Sequence, residues 1–383
     1  MSEWPTVKLG EVAEQTNHRV GELDVPIYSV TKYDGFVPSS EYFKKRVFSM
    51  DIRKYKLCTA GDFAYATIHL DEGSIGISPV KCGISPMYTT FRLNSLNISP
   101  DYLLRYLKSS RALTQYLTLG SGSAERRKSI KFTDLRKMEI PFPPLGEQNR
   151  IVGILGKTTG AISSVQKQIE QAKKLRSSIV GMASKMAVEL RAISEYFDIN
   201  PRQPRNIPDN APTSFVPMAN LDETFGISPI TSRFSEHKKG YTYFENGDIL
   251  LAKITPCFEN GKSAIAKLST QIGHGSTEFH VLRHKNHMHQ DVCLSPLLVA
   301  AILKQPSFLK PAENFMRGSA GQKRIPVSYI ASLKVPVLKS VDLEKIDQSL
   351  EIVEALLNLY HRKLSLLQEL QKSLATRAFA GLL

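Results

Sequence analysis

One apolar seam runs through this chain twice. Ile151, Leu155, Thr158, Ile162, Val165, Ile169 and Ala172 are separated by alternating steps of four and three residues. Ile346, Leu350, Val353, Leu357, Tyr360, Leu364 and Leu367 repeat that spacing 195 positions later. Such alternation keeps one stripe of a helix apolar, so each run predicts a long helix with a coiled-coil seam. Both seams then take an extra step of three, to Leu175 and to Leu370, before resuming at Ile179 and Leu374. A break of phase shared at the same offset reads as a duplicated element carrying a stammer. Neither run contains Pro, but Gly153, Gly156, Gly160 and Gly181 interrupt the first. Each costs a helix about 1 kcal/mol relative to Ala, so this helix is expected to draw its stability from a partner helix.

The segments ahead of the two helices repeat as well. Gly61-Asp62 followed by Phe63-Ala64-Tyr65-Ala66 resembles Gly247-Asp248 followed by Ile249-Leu250-Leu251-Ala252, in each case a turn dipeptide opening an apolar strand. Ser85 to Arg92 aligns with Ser276 to Arg283, Gly122-Ser123-Ala124 with Gly318-Ser319-Ala320, and Ile140-Pro141 with Val335-Pro336. The predicted order is therefore globule, helix, globule, helix, over residues 1–143, 144–190, 191–338 and 339–383. The expected fold class is α+β: two mixed α/β domains separated by two long coiled-coil helices, related by an internal pseudo-two-fold repeat. Such a molecule suits a target with two unlike halves.

Composition supports two or three domains, since 383 residues exceed the roughly 100–200 of a single one. Leu294 to Leu303 is an apolar stretch about half as long as the ~20 residues of a membrane span. No basic-then-apolar signal pattern opens the sequence, so a cytoplasmic protein without membrane contact is expected. Cys58, Cys82, Cys257 and Cys293 form no Cys-x-x-Cys pair and spell neither a disulfide framework nor a zinc knuckle.

Catalytic signatures are missing. The chain has neither a Gly-x-x-x-x-Gly-Lys-[Ser/Thr] phosphate loop nor a Gly-x-Ser-x-Gly nucleophile elbow. Phe142-Pro143-Pro144 faintly resembles the Asn-Pro-Pro motif of adenine methyltransferases, but a Phe cannot accept a hydrogen bond from the target amino group. His284, His287 and His289 have no carboxylate or Cys at matching spacing and read as a solvated loop, and Asp71-Glu72 as a surface turn. No catalytic residue, metal ligand or bound cofactor is expected.

Binding to a polyanion is better supported. The formal charge is +14, and the paired Gly-Ser-Ala loops place exposed amides immediately before cations. In the first globule these are Gly122, Ser123, Arg126, Arg127 and Lys128; in the second, Gly318, Ser319, Gln322, Lys323 and Arg324. Amides with Lys and Arg are what a phosphate backbone requires. Lys44, Lys45 and Arg46 form a further cationic run, and the strand ends Thr67 and His69, with Lys253 and Thr255, are candidates for reading base edges. The helices would present Ile151, Leu155, Ile162, Val165, Ile169, Leu175, Ile346, Leu350, Val353, Leu357, Tyr360, Leu364 and Leu370 to each other or to another subunit.

These parts in this order resemble the specificity subunits of type I restriction-modification enzymes. The residues that carry the resemblance are Trp4-Pro5, Lys8-Leu9-Gly10-Glu11-Val12, Gly61-Asp62, the Gly122-Ser123 and Gly318-Ser319 loops, and the run Ile140-Pro141-Phe142-Pro143-Pro144-Leu145 with Glu147-Gln148 and Ile151. The resemblance implies a non-catalytic subunit whose two globules each read half of a split double-stranded DNA target. It implies that the globules are target-recognition domains and that the helices pack antiparallel, act as a ruler and dock methyltransferase subunits, joined by restriction/translocase subunits, with S-adenosylmethionine, ATP and Mg belonging to those partners. The second globule departs from the pattern: Arg191 to Phe197 is only a distant counterpart of the opening motif, and the Pro-Pro-Leu-x-Glu-Gln run is missing after Val337. A helix of about 40 residues spans roughly 60 Å, longer than one DNA turn of about 34–36 Å, as a ruler requires. The other classes weighed are a protein-interaction scaffold with two repeated heads and a self-sufficient methyltransferase or nuclease.

Overall fold

The structure is a computed structural model and describes residues 4–43, 47–68, 70–119, 129–221, 230–237, 239–285, 292–319 and 321–383. The chain forms two compact units, one made of Met1–Ser163 with Leu366–Leu383, the other of Ser164–Ser365.

In the first unit, Thr6–Lys8 pairs antiparallel with Glu139–Pro141. The short helix Leu9–Val12 follows and leads into Ala13–Thr16, an edge strand of an antiparallel sheet that continues through Tyr88–Leu93, Phe63–Ala66 and Ile75–Ile77. A second sheet runs Gly35–Pro38, Ile27–Thr31, Cys82–Ile84, Lys56–Cys58, and its central pairing is parallel. Apolar residues of the first sheet (Phe63, Tyr65, Phe91) meet those of the helix Pro100–Leu107 (Tyr102, Leu103, Tyr106, Leu107) in one buried cluster. Ser99 caps that helix and Pro100 begins it, as its first turn prefers.

The second unit has the same plan. Glu189–Ala192 pairs with Lys334–Val337, the helix Ile193–Tyr196 follows, and Phe197–Ile199 edges a sheet continuing through Phe279–His284, Ile249–Ala252 and Ser263–Ile265. The other sheet runs Ile230–Arg233, Pro212–Val216, Ile272–Gly275, Thr242–Glu245, again with one parallel pairing at its centre. Arg191 to Phe197, whose sequence barely resembles the chain's opening, thus takes the same ribbon, helix and strand. Alternating burial and backbone pairing tolerate exchange of side chains that specific motifs do not.

Two long helices, Leu145–Met186 and Ser340–Phe379, carry the seams. Their heptad spacing is regular throughout. Leu175 and Leu370 are about half exposed, and the positions that continue the seam are Arg176 and Gln371, 195 residues apart. What reads in the sequence as a phase break is a polar residue at an unbroken heptad position. The two polar residues bond to equivalent partners. In the second unit Arg176 Nη1 lies 3.5 Å from Glu354 Oε1, and in the first Gln371 Nε2 donates to Thr159 Oγ1 at 2.9 Å. Thr159 and Glu354 are themselves 195 residues apart. The helices run antiparallel within each unit: Thr159 meets Gln371 and Arg150 meets Leu383 in the first, Arg176 meets Glu354 and Val188 meets Val337 in the second.

Candidate nucleic-acid interface

The Gly-Asp turns have the same construction in both units. Gly61 and Gly247 sit at φ of 90° and 95°, a region that suits Gly. The following aspartates accept a backbone N–H three residues upstream, Thr59 to Asp62 and Glu245 to Asp248, both at 2.7 Å. Each also takes an Arg from the neighbouring strand: Arg92 Nε reaches Asp62 at 2.6 Å and Arg283 Nη2 reaches Asp248 at 2.7 Å. Asp62 and Asp248 are buried, so these charge-assisted bonds satisfy carboxylates that would otherwise be costly inside the domain. Arg92 and Arg283 therefore secure the turn that opens the apolar strand in each unit, Phe63–Ala66 and Ile249–Ala252.

That strand leads straight to the loop. In the second unit Ile249–Ala252 continues into Lys253, whose carbonyl accepts from Ile325 N at 2.9 Å, while Thr255 N donates to Lys323 O at 2.9 Å. Ile254 and Arg324 form an antiparallel bridge, and Arg317 pairs with Arg324 across the loop neck through bonds of 2.9 and 2.8 Å. The sequence-predicted groups Lys253, Thr255, Gln322, Lys323 and Arg324 are thus brought together. The first unit repeats the contact: Thr67 O accepts from Ile130 N at 2.9 Å, just after the Gly122-Ser123 loop. Tyr65 Oη donates to Ile130 O at 3.0 Å, as His280 Nε2 does to Ile325 O at 2.9 Å. With Nε2 donating, His280 Nδ1 is free to accept from Asn200 Nδ2 at 3.3 Å. Burial pushes the His280 imidazole below its ordinary pKa.

At the loop itself, Gly318 has a φ of 138°, and a Cβ there would sit 2.5 Å from the Gln322 carbonyl oxygen. Gln322 N closes the turn on Ser319 O at 3.0 Å. Gly318, Ser319, Gln322 and Lys323 are exposed. Arg324 differs. Its guanidinium forks onto Glu278 at 2.7 and 2.9 Å, and that partner holds the Glu278 carboxyl below its ordinary pKa. Arg324 is thus committed to the neck of the loop, and Arg317, immediately before the Gly-Ser pair and not among the residues expected from the sequence, is an exposed cation there. Thr67 Oγ1 is within 2.8 Å of Met87 O and 3.0 Å of Thr89 Oγ1, and Thr255 Oγ1 donates to Glu259 at 2.9 Å. Lys44, Lys45, Arg46, His69, Gly122, Ser123, Arg126, Arg127 and Lys128 lie outside the described residues.

The motif residues at the helix junction have a structural task. Gln148 is fully buried; its Oε1 accepts from Ser99 N at 2.8 Å and its Nε2 donates to Asn97 O and Pro143 O, both at 2.9 Å. Trp4 Nε1 donates to Ala378 O at 2.9 Å, and Leu9 and Gly10 N–H groups bond the carbonyls of Met138 and Arg136 at 2.9 Å. His284 Nε2 donates to Leu294 O at 2.9 Å. Among the described residues no cluster of side chains suits a metal ion, and no helix is long and apolar enough to cross a membrane.

Residues 1–174 match the family model of the type I restriction modification DNA specificity domain. The chain is 41% identical over 147 residues to the Type I restriction enzyme EcoEI specificity subunit of Escherichia coli, a match covering 38% of this chain and 24% of that protein. It is 38% identical over 161 residues to the EcoAI specificity subunit of the same organism, covering 41% and 26% respectively. The matches therefore span about a quarter of the length of these curated relatives. The crystal structure of the type I restriction-modification S subunit from M. genitalium superimposes with a TM-score of 0.56 at 14% identity, covering 99% of this chain and 96% of that one, which shows the shared fold.

Proposed function

From residues 1–174 belonging to the type I restriction modification DNA specificity domain family, we propose that this chain is the DNA-recognition subunit of a type I restriction-modification complex. Each sheet-rich head reads one half of a bipartite duplex target, and the long helices set the gap between half-sites and dock methyltransferase subunits. The chain itself is non-catalytic. S-adenosylmethionine, ATP and Mg serve the methyltransferase and restriction/translocase partners, and the complex works in the cytoplasm. The observation that carries the reading is the recurrence, in two units of identical strand order, of a reading strand hydrogen-bonded to the end of a glycine-rich, cation-bearing loop.

The test is a binding selection with the full chain on random-sequence duplexes. Two specified blocks separated by a fixed unspecified gap are expected, with log K falling steeply as log salt rises because phosphate contacts release counterions. A single block, or salt-insensitive binding without sequence preference, would overturn the reading in favour of a protein scaffold. Inserting one heptad into both helices is expected to change the selected gap while leaving both blocks intact. Retention of the original gap would remove the ruler.

A further inference from the structure

A cavity of about 370 Å³ opens in the first unit beside the end of the reading strand. That volume falls in the roughly 300–1,000 Å³ range of ligand pockets. Tyr28, Phe43, Phe48, Tyr55 and Tyr88 line it together with Thr67 and Ile68, which directly follow the strand Phe63–Ala66. Its rim reaches solvent at Met87 and Val47, 68% and 54% exposed. Among the described residues no carboxylate lines it.

These walls suit one class of ligand. Five aromatic rings around a slot of this size offer faces for stacking, and a nucleobase is planar and stackable whatever its sequence identity. Tyr28, Ser29 and Ser85 are among the lining residues; the Ser29 hydroxyl is bonded to Ser39 Oγ at 2.8 Å and Ser85 Oγ accepts from Met87 N at 3.4 Å, which leaves the Tyr28 hydroxyl as the partner for the polar edge of a base. The Tyr28 hydroxyl makes no hydrogen bond among the described residues, and Tyr88 is held in place by its hydroxyl near Val30, 3.3 Å from the amide nitrogen. The lining also includes Thr67, whose carbonyl receives the end of the cation-bearing loop.

We propose that this pocket receives an unstacked nucleobase from the duplex held by the first recognition head. The proposal rests on the DNA-recognition reading and adds to it a site where one base leaves the helix. Extruding a paired base is costly, and the cost is least where the base is already mismatched. A protein that extrudes a base therefore binds a duplex more tightly when that base is mispaired.

The experiment uses the full chain and fluorescein-labelled duplexes carrying its selected target, with single mismatches walked through the half-site of the first head. One position is expected at which a mismatch tightens binding about tenfold, and 2-aminopurine at that position should change its emission on binding. Phe43→Ala and Phe48→Ala are expected to lower affinity for the matched duplex roughly ten- to hundredfold. Val47→Trp, at an exposed rim position where folding is not at stake, should close the mouth and abolish the mismatch advantage. Specific duplex binding with no tightening mismatch, or a mismatch advantage that survives Val47→Trp, would overturn the pocket alone. If the chain binds no duplex at all, the recognition reading falls and the pocket with it.

Discussion

Neighbouring residues of one loop have opposite tasks. Lys323 is exposed and makes no ion pair among the described residues, whereas Arg324 is forked onto Glu278. Lys323→Ala is therefore expected to weaken duplex binding about equally across sequences and to lower the salt slope by about one, read by fluorescence anisotropy at several salt concentrations. Arg324→Ala should instead lower the melting temperature, because it leaves a half-buried carboxylate without its charge partner. Gly318→Ala forces a Cβ against the Gln322 carbonyl at 2.5 Å in a left-handed conformation. A local strain of about 1–3 kcal/mol is expected, seen as weaker DNA binding with the far-ultraviolet spectrum unchanged. His280 supplies a pH dependence. Its folded pKa is lowered by burial from 6.5, so the unfolded state takes up the proton more readily. Stability is then fully present above about pH 6.5 and falls as the pH drops toward the lowered folded value. Denaturant titrations between pH 7.5 and 5 should show this slope, and His280→Gln, which keeps one donor and one acceptor, should flatten it.

The two long helices show what a heptad pattern reveals and what it hides. Residues such as Ile151, Val165, Leu350 and Val353 announce the seam because apolar side chains at alternating steps of four and three have one physical use. Arg176 and Gln371 hide in it, because a scan for apolar residues steps to the nearest leucine, Leu175 or Leu370, and both of these turn toward solvent. Only the partner helix explains a polar residue there. Glu354 is buried and pushed above its ordinary pKa by burial despite the guanidinium beside it, so the pair's attraction does not cancel its desolvation. Removing one member, as in Arg176→Met, is expected to cost about 3–5 kcal/mol, while Arg176→Met combined with Glu354→Leu should be close to neutral. A double-mutant cycle on denaturant unfolding would measure the difference; additive single effects would show that the two side chains are not coupled.

At the scale of the whole molecule, the first compact unit needs both ends of the sequence. Ala378 and Phe379 are buried in its core, with the Phe379 ring edge-on to Tyr106 at 5.2 Å and to Tyr102 at 5.6 Å, and the Trp4 indole donates to the Ala378 carbonyl. Phe379→Ala is expected to cost the first unit about 3–5 kcal/mol. Hydrogen exchange followed by mass spectrometry should then show faster exchange in Pro100–Leu107 and unchanged protection in Ile249–Ala252. Equal loss in both strands and helices of the two units would mean that they unfold together.

The sequence by itself determined the duplication, the paired long helices and the cation-bearing loops, because each is written in local spacing: heptad steps, a Gly-Asp turn before an apolar run, small residues before Lys and Arg. It did not show that Lys253 is hydrogen-bonded to Ile325 and Thr255 to Lys323, that Arg92 belongs to Asp62 and Arg283 to Asp248, or that Arg324 is occupied by Glu278. Nor did it separate the junction residue Gln148 from residues that would face a ligand. Those assignments were decided by tertiary structure, since whether a cation is free for a phosphate depends on a carboxylate dozens of residues away in the chain, and strand pairing alone brings the two within hydrogen-bonding distance.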